Sequence, residues 1–211
     1  MELKELERVL PGEIEKRSFE IITKELGEKK LEPENELVIK RVIHTTADFD
    51  YADNLVFSPH AVKLGIEALK EGTRIITDTN MGKAGINKPA LKRVGASADC
   101  FMADEDVAEY AKLCGTTRAC ASMDKAARLS EDCIFAVGNA PTALVRLYEL
   151  VKEGKLHPRL IVGVPVGFVN VVQSKEMILS LKDTPFIVAK GRKGGSNVAA
   201  AIMNALLYQI K

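Results

Sequence analysis

A chain of 211 residues with 46% hydrophobic content and no low-complexity run is long enough to bury one substantial core, and a single domain over 1–211 is expected. Thirty Lys and Arg against twenty-nine Asp and Glu leave a formal net charge of +1. That excludes a global field for gripping nucleic acid or an anionic membrane, so any anionic ligand has to be held locally.

The N-terminal MELKELERVL is charged and amphipathic rather than a signal core, and no apolar run reaches membrane-spanning length, so a cytoplasmic protein is expected. Past Pro11-Gly12, Ile14, Phe19, Ile21, Ile22 and Leu26 predict an amphipathic helix over 13–27 closed by Gly27, with Ser18 on the margin of its apolar stripe. A serine there either bonds back to the backbone or points into a site. A second helix is predicted from Pro33 through Leu37, Val38 and Val42 to His44.

The segment Ile43-His44-Thr45-Thr46-Ala47-Asp48-Phe49-Asp50-Tyr51 looks least like scaffold. Histidine is scarce, with three in the chain, and is the side chain suited to moving a proton near neutral pH. His44 is therefore the first candidate for chemistry; the alternative is an imidazole that only ends a helix, favoured by the macrodipole. Asp48, Asp50 and Asp53 alternate as calcium-loop ligands do, but the turn glycine and distal glutamate are missing, and no metal site is assigned.

From residue 58 helices alternate with short β-branched runs. Ser58-Pro59 reads as an N-cap with proline in the first turn, Val62, Ile66 and Leu69 form one face, and Gly72 stops the helix. Five strands are predicted, at 73–77, 98–102, 133–137, 160–163 and 186–189, with helices at 104–112, 117–128, 141–152, 172–181 and from Ser196 onward. This alternation implies a parallel sheet with crossover helices on both faces, an α/β sandwich. Cys100, Cys114, Cys120 and Cys133 fit neither a zinc ribbon nor a disulfide scaffold and are expected as reduced thiols.

Such sheets bind ligands outside the carboxyl ends of their strands. The predicted loops there are glycine-rich and polar: 78–85, 138–142, 164–168 and 190–197. The last, Lys190-Gly191-Arg192-Lys193-Gly194-Gly195-Ser196-Asn197, combines cations, free backbone N–H groups and a helix start, as an anion would require. It matches neither G-x-x-x-x-G-K-[ST] nor G-x-G-x-x-G, so a nucleotide is not signalled.

The histidine segment, Thr117-Arg118-Ala119, Val137-Gly138-Asn139-Ala140-Pro141-Thr142-Ala143-Leu144, Gly163-Val164-Pro165-Val166-Gly167-Phe168-Val169 and Lys190-Gly191-Arg192-Lys193-Gly194-Gly195-Ser196 together resemble the precorrin-8X methylmutases of cobalamin synthesis, over essentially the whole chain. The resemblance implies an isomerase that moves a methyl group from C-11 to C-12 of a corrinoid, a flavodoxin-like fold with a five-stranded parallel sheet, and a homodimer with its site near the interface. It places the catalytic histidine on His44 and substrate contacts on Ser18 and Arg118, to which the loops add Asn139, Lys190, Arg192, Lys193 and Ser196. No cofactor is implied, and cobalt, if present, belongs to the substrate. Asp48 or Asp50 is expected to keep His44 protonated, and Tyr51, Val166 and Phe168 to wall the flat ring. The all-round apolar run 198–203 is expected to bury part of its surface against a partner subunit. Two rival classes are a non-catalytic macrocycle carrier, which needs the anion loops but not His44, and a nucleotide- or flavin-dependent enzyme.

Overall fold

A computed structural model describes residues 7–129 and 131–210, so the expectation for the first six residues lies outside the described residues. Helix α1 spans Ile14–Leu26 and closes at Gly27, whose φ of 60° costs glycine nothing. Helix α2 spans Glu36–Thr46. Pro33 sits in the turn ahead of it, where the Asn35 N–H donates to Glu32 O, and does not open the helix. A short helix α3, Tyr51–Asn54, and strand β1, Leu55–Phe57, follow. Neither was legible, because three or four residues carry no countable period.

Ser58 does not cap the next helix. Its N–H donates to Phe186 O at 3.0 Å and its hydroxyl accepts from Phe186 N–H at 2.9 Å, so it extends the ladder of β1. Helix α4 therefore occupies Ala61–Lys70, and Gly72, at φ 78°, ends the segment.

Strands β2 (Ile75–Thr77), β3 (Ala98–Asp99), β4 (Ile134–Val137), β5 (Leu160–Gly163) and β6 (Phe186–Ala189) complete one sheet of order β1-β6-β5-β4-β2-β3. Strands β2 to β6 pair in parallel, as expected, but β1 lies antiparallel on β6. The five-stranded parallel expectation is thus corrected to a six-stranded mixed sheet. Strands β1 and β6 are the first and last in the chain, so no single crossover joins them and the connectivity does not require them to run parallel. The remaining helices are α5 (Asn80–Gly85), α6 (Lys88–Arg93), α7 (Glu105–Leu113), α8 (Arg118–Ala127), α9 (Pro141–Lys152), α10 (Val171–Leu179) and α11 (Ser196–Leu207). The glycine-rich segment 78–85, expected as a loop, is mostly α5, which Thr79 caps by accepting the Gly82 N–H at 2.9 Å.

The sheet is buried on both faces, and its side chains alternate between two cores. Ile75, Ile134, Ala136, Leu160, Val162 and Ile187 pack with residues of α2, α4 and α11. Ile76, Phe135, Val137, Ile161, Phe186 and Val188 pack with α8, α9 and α10. Helix α11 lies between α2, α5 and the sheet, so its all-round burial is met within one chain and does not require a second copy. No described helix is long and apolar enough to cross a membrane.

Candidate functional site

The strand order reverses between β2 and β4, which opens a crevice at their carboxyl ends. Asp78, one residue past β2 and only 1% exposed, spans it. Its Oδ1 accepts from Gly138 N–H at 2.9 Å, and its Oδ2 accepts from Asn139 and Ala140 N–H at 2.8 and 2.6 Å. These donors lead into α9, which has no side-chain cap of its own, so Asp78 supplies the anion its start favours. Burial pushes the Asp78 carboxyl above its ordinary value although the three N–H donors pull it back. The neighbouring loops are locked by close backbone approach. A Cβ on Gly138 would sit 2.6 Å from Ser196 Cα, and one on Gly194 would sit 2.0 Å from Val164 O. The Ser196 hydroxyl lies 2.7 Å from Thr79 Oγ1, tying the start of α11 to the cap of α5.

The basic loop is exposed at Lys190, Arg192 and Lys193. Arg192 stacks over the Phe168 ring at 5.4 Å, and Phe168 is 81% exposed. The Lys193 ammonium is shared by Asp48 Oδ2 and Asp50 Oδ2 at 2.6 Å each, which holds it well above its ordinary value and holds Asp48 below its own. This corrects the expectation for the acids: among the described residues they face Lys193, and neither bonds His44. The same pairs fasten the segment after α2 to the loop after β6.

Behind the loop, Lys175 of α10 is fully buried, and its Nζ donates to Gly191 O and Lys193 O at 2.8 Å each. Burial pushes its ammonium down to about 8 from 10.5. The folded value is the lower one, so between those limits the unfolded chain binds more protons and stability rises with pH. The unfolding free energy of the wild type minus that of Lys175→Met is expected to grow by about 2–3 kcal/mol from pH 8 toward pH 10.5. A flat difference in urea titrations across that window would show that the ammonium is not destabilised by burial.

His44 sits exposed in the last turn of α2, and its ring stacks on Phe19 of α1 with centroids 5.7 Å apart. Phe19 is in turn covered by the Arg41 guanidinium at 4.9 Å, which also lies 5.0 Å from the Tyr208 ring. Glu15 clamps that guanidinium with bonds of 2.6 and 3.0 Å, and Arg41 holds the Glu15 carboxyl below its ordinary value. Glu15, Phe19, Arg41 and Tyr208 line a cavity of 630 Å³ between α1, α2 and α11. Ser18 bonds back into its own helix, its Oγ donating to Ile14 O at 2.9 Å, yet it adjoins the residue on which His44 rests. Tyr51 is only 3% exposed, with its phenol pushed up to about 12 by burial, so it is core and cannot wall a ring; Val166 and Phe168 are open. Arg118 is the exposed first residue of α8, brought beside the start of α9 by a 3.0 Å contact between Thr117 and Thr142 hydroxyls. Asn139 presents its side chain to solvent while its N–H holds Asp78.

Sequence reasoning missed Asp78, Lys175 and the Glu15–Arg41 clamp. Only Asp78 carried a local signal, an acid at a strand's carboxyl end before a Thr-Asn cap.

The mixed sheet, with ordered loops and helix starts gathered at the carboxyl ends of its parallel strands, defines an α/β protein of the class that takes its ligand at that edge. More narrowly, the chain belongs to the precorrin-8X methylmutase (CbiC) family, whose model matches residues 13–209. It is 44% identical to the cobalt-precorrin-8 methylmutase of Priestia megaterium, covering 94% of this chain and 88% of that one. It is 45% identical to the enzyme of the same name from Salmonella typhimurium, covering 95% and 96%. The crystal structure of precorrin-8x methyl mutase from Thermus thermophilus superposes with a TM-score of 0.86 at 39% identity, covering 92% of this chain and 94% of that one.

Proposed function

We propose that this methylmutase moves a methyl group from C-11 to C-12 of ring C of precorrin-8X or cobalt-precorrin-8, giving hydrogenobyrinate or cobyrinate, with His44 as the acid. The bond to C-11 breaks as the bond to C-12 forms in a suprafacial [1,5] shift, so the reaction needs no nucleophile and no net oxidation. Cobalt, where present, is part of the substrate, and no cofactor is assigned. Family membership supports the reaction. The observation that carries the role of His44 is its placement: an exposed imidazole braced on Phe19, beside the segment that Lys193 ties to the strand-end loops. As imidazolium it draws electron density from ring C, stabilising charge that develops as the methyl group migrates. The test is incubation with each substrate form, followed by the visible spectrum of the product. No product from either form would refute the reading, and spectral binding without turnover would favour a carrier.

The macrocycle carries a rim of acetate and propionate groups, for which Ser18, Arg118, Asn139, Lys190, Arg192, Lys193 and Ser196 are the proposed contacts. Of these, Lys193 already holds two carboxylates, so a substrate carboxylate would exchange with Asp48 or Asp50 there. The Arg118 side chain makes no ion pair or hydrogen bond among the described residues, although its backbone opens α8. Arg118→Ala is therefore expected to weaken product binding by about 1.5–3 kcal/mol with unchanged unfolding free energy. An unchanged dissociation constant would remove it from the site.

The architecture is proposed to be flavodoxin-like, as a single domain over 1–211. The five parallel strands, numbered among themselves, follow the order 2-1-3-4-5, which supports this winding; β1 is an added edge. The protein is proposed to act in the cytoplasm as a homodimer with its site near the interface, where exposed Val166, Phe168 and Val169 supply apolar surface. A monomer mass by light scattering at working concentration would overturn the dimer.

A further inference from the structure

We propose that Lys175 is a positioning residue that turns the backbone N–H groups of Arg192 and Gly194 outward as a paired donor for a substrate carboxylate; this rests on reading the 190–196 edge as part of the corrinoid site. Three observations support it. The Lys175 side chain is 0% exposed and has no carboxylate partner among the described residues, its two acceptors being Gly191 O and Lys193 O. An interior lysine is costly, and a purely apolar side chain would fill the same volume without that cost, so the two carbonyl contacts are what the ammonium provides. Those carbonyls belong to the peptide units that carry the N–H groups of Arg192 and Gly194.

A trans peptide points its C=O and N–H in opposite directions, and no cis bond occurs in the described chain. Drawing Gly191 O and Lys193 O onto Lys175 therefore sends the Arg192 and Gly194 N–H groups to the opposite side, away from α10. Neither N–H meets a protein acceptor among the described residues, although the flanking groups of the loop are used. Arg192 O accepts from Gly167 N–H at 3.3 Å, Lys190 N–H donates to Asn54 O at 2.8 Å and Gly195 N–H donates to Val164 O at 2.9 Å. Backbone N–H groups left without a protein acceptor on one loop can each donate to an anion, and an acetate or propionate arm of the macrocycle is the anion at hand. The Arg192 guanidinium, stacked on Phe168, adds charge at the same place. Lys175 touches no substrate atom; it fixes the direction of groups that do.

The experiment has two parts. In the unmutated, ¹⁵N-labelled protein, addition of hydrogenobyrinate is expected to shift the amide signals of Arg192 and Gly194. In Lys175→Met, which keeps the apolar stem and loses the donors, the dissociation constant per folded site is expected to rise about tenfold and KM with it, while kcat stays within roughly twofold. A scaffold role alone would change stability and leave the constant unchanged. If the two amides move in the unmutated protein but Lys175→Met binds as the wild type does, Lys175 has no positioning role and the site reading stands. If the product binds by its visible spectrum but the two amides do not move, the proposal fails and the 190–196 edge does not hold the product. If the product does not bind the unmutated protein, the site reading fails and this proposal fails with it.

Discussion

His44→Ala is expected to lower turnover per folded, product-binding site by about 10²–10⁴-fold, the usual effect of losing a positioned general acid. Affinity should change little. The macrocycle's carboxylates are proposed to meet cations and N–H groups on the loops after β4 and β6, whereas the imidazole acts on ring C alone. An interaction made chiefly in the transition state lowers kcat and leaves ground-state binding in place. The fold should also survive, because the ring is exposed and its described contact is the stack on Phe19. Circular dichroism checks folding, product titration counts competent sites, and the rate is then referred to those sites. Turnover near the wild-type value would reduce His44 to a residue that only ends α2.

Strands β2, β4, β5 and β6 were legible because each is an apolar run rich in Ile and Val bounded by turn residues, whereas only Ala98–Asp99 of the run expected at 98–102 pairs as a strand. Helices such as α9 announced themselves by spacing and a closing glycine. What escaped was short or tertiary. Strand β1 has three residues, and α5 hides behind two glycines, one of which, Gly85, has no room for a side chain because a Cβ there would sit 2.8 Å from Ala200 Cβ. The residues around His44 were legible as a segment, but their partners were not. Asp48 and Asp50 could be matched to the nearest cation only once the β6 loop was seen to return beside α2, which put Lys193 between them. Lys175 reads in sequence as an ordinary helix lysine, and nothing local says that it faces inward. Tyr51 shows the converse: position in the chain suggested a wall of the site, and packing gave it a place in the core.

Asp78→Ala is expected to cost about 3–5 kcal/mol of stability, since it leaves three N–H donors around a buried cavity without an acceptor. Water replaces a lost partner cheaply at the surface but not here, where the carboxylate is almost fully enclosed and Gly138 is pressed against the backbone of Gly195 and Ser196. The damage should reach the site, because the same three donors fix the segment before α9 that carries Asn139 and stands beside Arg118. Product affinity per folded site should therefore fall along with stability. Asp78→Asn separates acceptor count from charge. With its oxygen in the Oδ2 position it keeps the bonds from Asn139 and Ala140 and sets an amide N–H₂ against the Gly138 N–H, so its cost should lie between wild type and alanine. Urea unfolding of the three proteins checks the order. An alanine variant within about 1 kcal/mol of wild type would mean that the loop finds other acceptors, and that Asp78 does not hold the crevice between β2 and β4.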